Sequence, residues 1–541
     1  MLGTMMDFPL TLQHVFDRGT RLFPDREIVT GGLGERHRYT YKDFARRVHR
    51  LASAFKALGL QPGERVGTFG WNHYRHLEMY FAVPMQGAVL HTLNIRLFHD
   101  QLVYIINHAA DRFIVVDRSL LGIVQALQPM LETVEKIIVV DDGGDCEVGD
   151  ALDYEQFLAS GNEHFDFPRL DENTAAMMCY TSGTTGNPKG VAYSHRALTL
   201  HSFGACLSDS VGVSQRDTVL AVVPMFHANA WGLPYAATMV GAKQVFAGNS
   251  MAPDRVLQLM QDERVTLGAG VPTIWIGALP LLQAGKYDLS SVTRIACGGS
   301  AAPRGLIDAY DKLGLNIVHA WGMTELTPIG SVAVPLTELD SADPATQMDF
   351  KARQGTPVPG VEARALDSDG KEVPWDGQTM GELVVRGPWV AASYYNDDRS
   401  AGSFTSDGWF RTGDIVVMHP NGYIEIADRT KDVIKSGGEW ISSVALENAL
   451  MAHPKVQEAA VIGVPDEKWS ERPLACVVPR PDFKGSVKAE ELSEFLAQQF
   501  AKWWLPERYL FLDELPKTSV GKFDKKTMRV QYTDSTKAVT A

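Results

Sequence analysis

The chain has 541 residues, 45% hydrophobic and 21% charged, which leaves room for about two to four domains that each bury a core. A formal net charge of −14 argues against nucleic acid as the main partner, and the ordinary composition argues against a disordered or fibrous protein. Five scattered cysteines (Cys146, Cys179, Cys206, Cys297, Cys476) suggest neither a disulfide framework nor a zinc site and suit a reducing cytoplasm, and Met1–Leu10 lacks the basic start and apolar run of a signal peptide.

From Pro9 to about Gly161 helical and strand-like runs alternate. The spacing predicts a helix from Tyr41 to Leu58 and strands at Arg65–Phe69, Ile114–Val116 and Ile137–Val140. The apolar run Ala175–Tyr180 then leads into Thr181-Ser182-Gly183-Thr184-Thr185-Gly186-Asn187-Pro188-Lys189-Gly190, and a helix start follows at Ser194-His195-Arg196-Ala197. The loop is therefore expected to join a buried strand to a helix. Its four hydroxyls, three glycines and one lysine suit a polyphosphate, because glycine lets backbone N–H groups approach phosphate oxygens while hydroxyls and an ammonium add donors and charge. A P-loop NTPase would need Lys-Ser/Thr directly after its second glycine; here Pro188 precedes Lys189 and Gly190 follows it.

The middle of the chain repeats the pattern, with strands expected at Val219–Val223, Val265–Gly268, Arg294–Ala296 and Ile317–His319 and helices between them, which implies parallel sheets covered on both faces. Ligands in such folds gather at the carboxyl ends of strands. Unusual residues lie there: Pro224–Trp231 after the first strand, Gly298–Pro303 after the third, and Trp321-Gly322-Met323-Thr324-Glu325 after the fourth. The uncharged spans Thr218–Ala242 and Val265–Gly285 are long enough to cross a membrane, yet each holds two prolines, and both read as buried strand-loop-helix units. From Gly360 to Asp428 short β segments separated by Asp-Gly and Asn-Gly turns predict a small antiparallel barrel or sheet. Past Arg429 come a helix at Val444–Met451, strands near Ala459–Gly463 and Leu474–Val478, a helix at Ala489–Phe500 and a basic tail, enough for a separate domain.

Taken together, Tyr180–Gly190, Trp321–Glu325, Tyr394-Tyr395-Asn396, Gly408–Asp414, Asp428–Glu439 and Pro516–Lys522 resemble the motifs of the adenylate-forming superfamily, in that family's order along nearly the whole chain. Within it the sequence is similar to bacterial medium- and long-chain fatty-acyl-CoA ligases and to the 3-methylmercaptopropionate-CoA ligases of marine sulfur metabolism. The resemblance implies an α/β fold: a large N-terminal domain of two doubly wound sheets plus a small β-barrel (1–428), a hinge (429–432), and a small mobile α+β C-terminal domain (433–541). It implies a ligase that uses ATP, Mg²⁺ and coenzyme A to convert a carboxylic acid to its CoA thioester through an acyl-adenylate.

The same resemblance assigns residues. Thr181, Ser182, Gly183, Thr184, Thr185, Gly186 and Lys189 would hold the leaving phosphates, Thr324 the α-phosphate and Glu325 the Mg²⁺, while Gly299, Ser300, Ala301, Ala302, Pro303, Trp321, Gly322 and Met323 would enclose adenine and line the nucleotide. Asp414 and Arg429 would take the ribose, Lys522 would bridge the carboxylate and the α-phosphate, and Lys431 would be the hinge. Ser436, Gly437, Gly438, Glu439 and Trp440 would form the pantetheine tunnel, and His227, Trp231, Gly232, Val271, Pro272 and Gly298 the acyl pocket. Trp231 stands where long-chain relatives carry a gating tryptophan, so a closed gate would favour a short acid and a swung one a long chain. A homodimer is expected on the same ground.

Overall fold

The computed structural model describes residues 1–32, 36–181, 187–437, 439–517, 523–533 and 539–540. They form two compact units, 1–362 with 386–410, and 363–385 with 411–541.

The first unit is built on two sheets. One runs in the order Leu152–Asp153, Lys136–Val140, Asp111–Asp117, Arg65–Phe69, Val89–Thr92, Ala175–Tyr180, Gly190–Ser194, and is parallel except at its last pair. The other places Thr356–Pro357, Ile329–Val332, Ile317–Gly322, Arg294–Cys297, Leu267–Gly270, Thr218–Ala221, Lys243–Phe246, Glu27–Thr30 and His37–Thr40 side by side, parallel at its centre and antiparallel at both ends. Inner strands such as Ile114–Val116 are buried on both faces, which is why they read as unbroken apolar runs. The covering helices are amphipathic: Tyr41–Ala57 turns Phe44, Val48, Leu51 and Phe55 inward, and Thr40 and Asp43 close a capping box at its start. Asn72, fully buried, joins the two sheets by donating to the carbonyls of Ala221 and Val223 and accepting from the N–H of Met225.

The phosphate loop departs from expectation. It connects two strands, not a strand and a helix: Gly190–Ser194 pairs antiparallel with Ala175–Tyr180, and the helix His195–Cys206 starts only after it, capped by Ser194. Gly190–Ser194 has only five residues and runs straight into the cap, so its period-two pattern is too short to stand out. Another strand falls at Leu267–Gly270, later than expected, because Val265 donates to the Met260 carbonyl and closes the preceding helix. The helix from Ala489 ends at Ala497. The two long uncharged spans are a strand, turn and helix (Thr218–Ala221, Ala228–Gly232, Leu233–Val240) and a strand and helix (Leu267–Gly270, Pro272–Gln283). Among the described residues no helix is long and apolar enough to cross a membrane.

The second unit holds a four-stranded sheet, ordered Glu362–Leu366, Met380–Arg386, Phe410–Met418, Ile424–Arg429, and a six-stranded sheet centred on the long antiparallel pair Val456–Asp466 and Ser470–Pro479. Helices Ser443–Ala452 and Ala489–Ala497 cover one core of that sheet, with Leu446, Leu450, Leu492 and Leu496 packed on Val461 and Val477.

Candidate active site

The strand-to-strand turn fixes both ends of the phosphate loop. The backbone N–H of Thr181 donates to the Lys189 carbonyl at 2.9 Å, and the Lys189 N–H donates to the Thr181 hydroxyl at 3.1 Å. These bonds draw Thr181 and Lys189 together at the carboxyl end of Ala175–Tyr180. Ser182, Gly183, Thr184, Thr185 and Gly186, like Gly438 and Lys522, lie outside the described residues.

Thr324 and Glu325 come to this loop from the other sheet. They follow the strand Ile317–Gly322 in a single 3₁₀ turn, both buried. The hydroxyl of Tyr193, on the second strand of the loop's hairpin, donates to the Thr324 carbonyl at 2.6 Å. Tyr394 completes the arrangement: its hydroxyl donates to Glu325 Oε1 at 2.7 Å, and the Lys189 ammonium stands over its ring, 4.3 Å from the centroid. Burial and the adjacent Glu325 carboxylate together push the phenol far above its ordinary range, so it stays protonated and remains a donor. The backbone N–H of Tyr395 donates to the Gly190 carbonyl, and that of Ala391 to the Glu325 carbonyl. Asp397 is held down at about 2 by Arg399 first, with Lys189 adding to the field. One lysine, one buried carboxylate and a Thr therefore converge on the loop. A buried carboxylate of this kind fits Mg²⁺, a hard ion that takes one or two carboxylates and completes its shell with phosphate oxygens and water.

The loop Gly299–Pro303 is tethered by a histidine that sequence reasoning missed. His319 accepts from the Ala302 N–H through Nε2 at 3.1 Å and donates through Nδ1 to the Ala352 carbonyl at 3.0 Å, which fixes its tautomer; burial lowers its affinity for a proton. Trp321 is buried with its ring against Gly330, where a Cβ would lie 2.3 Å from the indole. Gly322 is equally confined, since a Cβ there would sit 2.1 Å from the Pro328 carbonyl oxygen.

The expected acyl-pocket residues also meet. Ala228, Asn229, Ala230, Trp231 and Gly232 all have positive φ, from 35° to 69°, a left-handed turn that follows His227. Each non-glycine residue in that region costs about 1–2 kcal/mol, so the surroundings must enforce it. Asn229 does so in part by donating to the Met177 sulfur at 3.0 Å, and Gly232 by lying against the buried ring of His201. The turn lays Trp231 beside the other strand ends: a Cβ on Gly298 would lie 3.5 Å from its Cη2, and one on Gly299 would touch both its Cζ2 and Val271. Val271 caps the helix that opens with Pro272.

Within the second unit, Asp414 and Arg429 are register partners on antiparallel strands and form an ion pair at 2.7 Å, with Asp414 buried and Arg429 half exposed. Lys431 is exposed in the turn that follows. Ser436 accepts from Arg472 at 3.0 Å, Glu439 and Trp440 open the return strand, and Gly437, at φ 62°, lies beneath the half-exposed Trp469, where a Cβ would meet the indole at 2.7 Å. Trp469 carries no motif signal, because its partner is a glycine some thirty residues earlier.

The chain matches the family model for AMP-binding enzymes over residues 16–395 and that for the AMP-binding enzyme C-terminal domain over 445–522. It is 47% identical over 533 residues, 98% of this chain and 97% of the relative, to a long-chain-fatty-acid–CoA ligase of Thermus thermophilus. It is 45% identical over 543 residues, 99% of each, to a 3-methylmercaptopropionyl-CoA ligase of Ruegeria pomeroyi. The ATP-bound MatB from Rhodopseudomonas palustris superposes with a TM-score of 0.82 at 26% identity, covering 97% of this chain and 99% of that one. Two matching family models and likeness along nearly the whole chain to CoA ligases place this chain in the AMP-binding enzyme family, as an AMP-forming acyl-CoA ligase that uses ATP, Mg²⁺ and coenzyme A.

Proposed function

We propose that the acid is a short- to medium-chain carboxylate, 3-methylmercaptopropionate or a close isostere. The observation that carries this reading is the closeness of Trp231 to Gly298 and Gly299, where a Cβ would stand 3.5 and 3.9 Å from the indole. The Ruegeria relative bears the name of that substrate. The alternative, a medium- or long-chain fatty acid, draws on the name of the Thermus relative and requires the indole to swing away. The test is CoA-dependent AMP release compared by kcat/KM over 3-methylmercaptopropionate, butyrate, octanoate and palmitate. A peak at the thioether acid or butyrate supports the short pocket; a peak at octanoate or beyond overturns it.

In the first half-reaction a carboxylate oxygen bonds to the α-phosphorus and pyrophosphate leaves; in the second the CoA sulfur bonds to the acyl carbon, AMP leaves and the thiol proton is released. Two anions meet in the first step, so donors and cations must neutralise the phosphates beforehand. We assign Lys189 and the loop from Thr181 to the leaving phosphates, Thr324 to the α-phosphate, and Lys522 to the bridge between acid and phosphate. Glu325 would hold Mg²⁺, which supplies charge neutralisation at the phosphates, while the Tyr394 hydroxyl keeps that carboxylate oriented. Asp414 and Arg429 take the ribose, the loop Gly299–Pro303 with Trp321, Gly322 and Met323 the adenine side, and Ser436, Gly437, Gly438, Glu439 and Trp440 the pantetheine arm. Between the steps the C-terminal domain, 433–541 by this reading, turns about Lys431. Lys522→Ala should abolish adenylate formation and spare thioester formation from supplied acyl-adenylate, and Lys431→Pro should do the reverse. Unpaired cysteines support a cytoplasmic setting, and sedimentation equilibrium tests the expected homodimer.

A further inference from the structure

A chain of buried hydrogen bonds crosses the position of the proposed hinge. Asp428, buried in the strand Ile424–Arg429, accepts through Oδ2 from both the backbone N–H and the hydroxyl of Ser443, at 2.5 and 2.6 Å. Ser443 is the first residue of the helix Ser443–Ala452, and its neighbour Ser442 donates to the Ala427 carbonyl. The Lys525 ammonium donates to the Ser443 hydroxyl at 2.7 Å and pairs with Glu447 at 2.6 Å, and Glu447 also accepts from the Val461 N–H. Burial pushes the Asp428 and Glu447 carboxyls up, with Lys525 as the opposing charge.

Asp428 precedes Lys431 in the chain; Ser443, Glu447 and Lys525 follow it. We propose that Asp428, Ser443 and Lys525 form a latch across the hinge, with Ser443 and Lys525 as positioning residues that set the balance between the two half-reactions. The inference rests on the domain-alternation reading. A turn about Lys431 must part Ser443 from Asp428, which then keeps, among the described residues, only the Arg429 backbone N–H on Oδ1, and a buried carboxylate that loses two donors is costly, so a half-made latch is disfavoured. The division of labour is asymmetric. Lys525 and Glu447 lie on the same side of the hinge and travel as a neutral pair, so Asp428 is the charge that changes surroundings. Lys525 acts on Asp428 through space, and the two share the Ser443 hydroxyl rather than a direct hydrogen bond, which keeps the contact breakable. Lys525 also opens the helix Lys525–Tyr532, and so ties that helix to the latch.

The test measures the half-reactions separately on the full-length enzyme: acid-dependent exchange of pyrophosphate into ATP, and thioester formation from supplied acyl-adenylate and coenzyme A. Ser443→Ala keeps the backbone bond to Asp428 and loses the shared hydroxyl. It should move the two rates in opposite directions and change their ratio by about tenfold, the effect of one hydrogen bond to a charged group. Lys525→Met should move the ratio the same way and Lys525→Arg should restore it, with thermal midpoints recorded to separate this from loss of folding. Equal falls in both steps, or an unchanged ratio in a folded Ser443→Ala enzyme, would overturn the latch. Lys431→Pro run in parallel isolates the underlying reading: if it stops neither step, domain alternation itself fails, whereas a blocked step beside an unmoved Ser443→Ala removes the latch alone.

Discussion

A buried carboxylate that must face a cation and phosphates needs its other contacts fixed, and at Glu325 the Tyr394 hydroxyl does this from 2.7 Å. Removing it leaves a buried acceptor short of a charge-assisted bond, an effect of about 1.5–3 kcal/mol. Tyr394→Phe should therefore lower pyrophosphate exchange about 10- to 100-fold while sparing thioester formation from supplied acyl-adenylate. Equal loss in both assays would move Tyr394 out of this role. At this scale the sequence singled out Lys189 by the composition of its loop, and Thr324 and Glu325 by their place at a strand end and by family resemblance. It was silent on Tyr193 and His319, whose partners, the Thr324 carbonyl and the Ala302 N–H, are set by which strands become neighbours. A lone histidine in an apolar strand looks like core until its two ring nitrogens are both accounted for. Such a residue still has a measurable consequence: His319→Phe frees the loop Gly299–Pro303 and should raise KM for ATP more than KM for the acid.

Strand ends, rather than whole elements, carry the site, and small residues let them approach. Gly322 has an ordinary φ yet no room for a methyl group, because the Pro328 carbonyl lies where the Cβ would be. Gly322→Ala must displace the turn that holds Thr324 and Glu325, an overpacking effect of about 1–3 kcal/mol on stability. Misplacement of reacting groups is penalised more heavily, so kcat/KM for ATP should fall about 100-fold for a modest drop in melting temperature. Retained activity would show that the turn can shift without consequence. The sheets were legible because strands buried on both faces leave continuous apolar runs. The strand Gly190–Ser194 was not, since five residues with a polar cap at the end give too short a pattern, and neither was the left-handed turn Ala228–Gly232, where Asn229 alone of the four non-glycine residues favours positive φ.

The molecule as a whole buries several histidines in neutral form. Burial holds His201 at about 3 and His195 and His76 at about 4, against 6.5 for the exposed side chain. Above pH 6.5 folded and unfolded chains carry the same charge at these sites and stability is unaffected. Below it the unfolded chain takes up protons that the native state refuses until pH 4 or 3, so each site loses about 1.4 kcal/mol of stability per pH unit. His201→Gln should remove about 2 kcal/mol of the loss between pH 7 and pH 5, read as a shallower fall in denaturation midpoint; an unchanged slope would mean that His201 charges without unfolding. Parallel sheets covered on both faces were expected from alternation, and their number from the family resemblance, but the place of the first strand was not. Glu27–Thr30 pairs with Lys243–Phe246, and the Tyr41 hydroxyl bonds to the Ala242 carbonyl, 201 residues away. During synthesis at about 5–20 residues per second, that N-terminal hairpin emerges roughly 10–40 seconds before its template exists. A nascent chain of this protein therefore carries an open apolar strand edge through more than a third of its translation, and slowing the ribosome after residue 40 should lower the soluble yield without altering the finished enzyme.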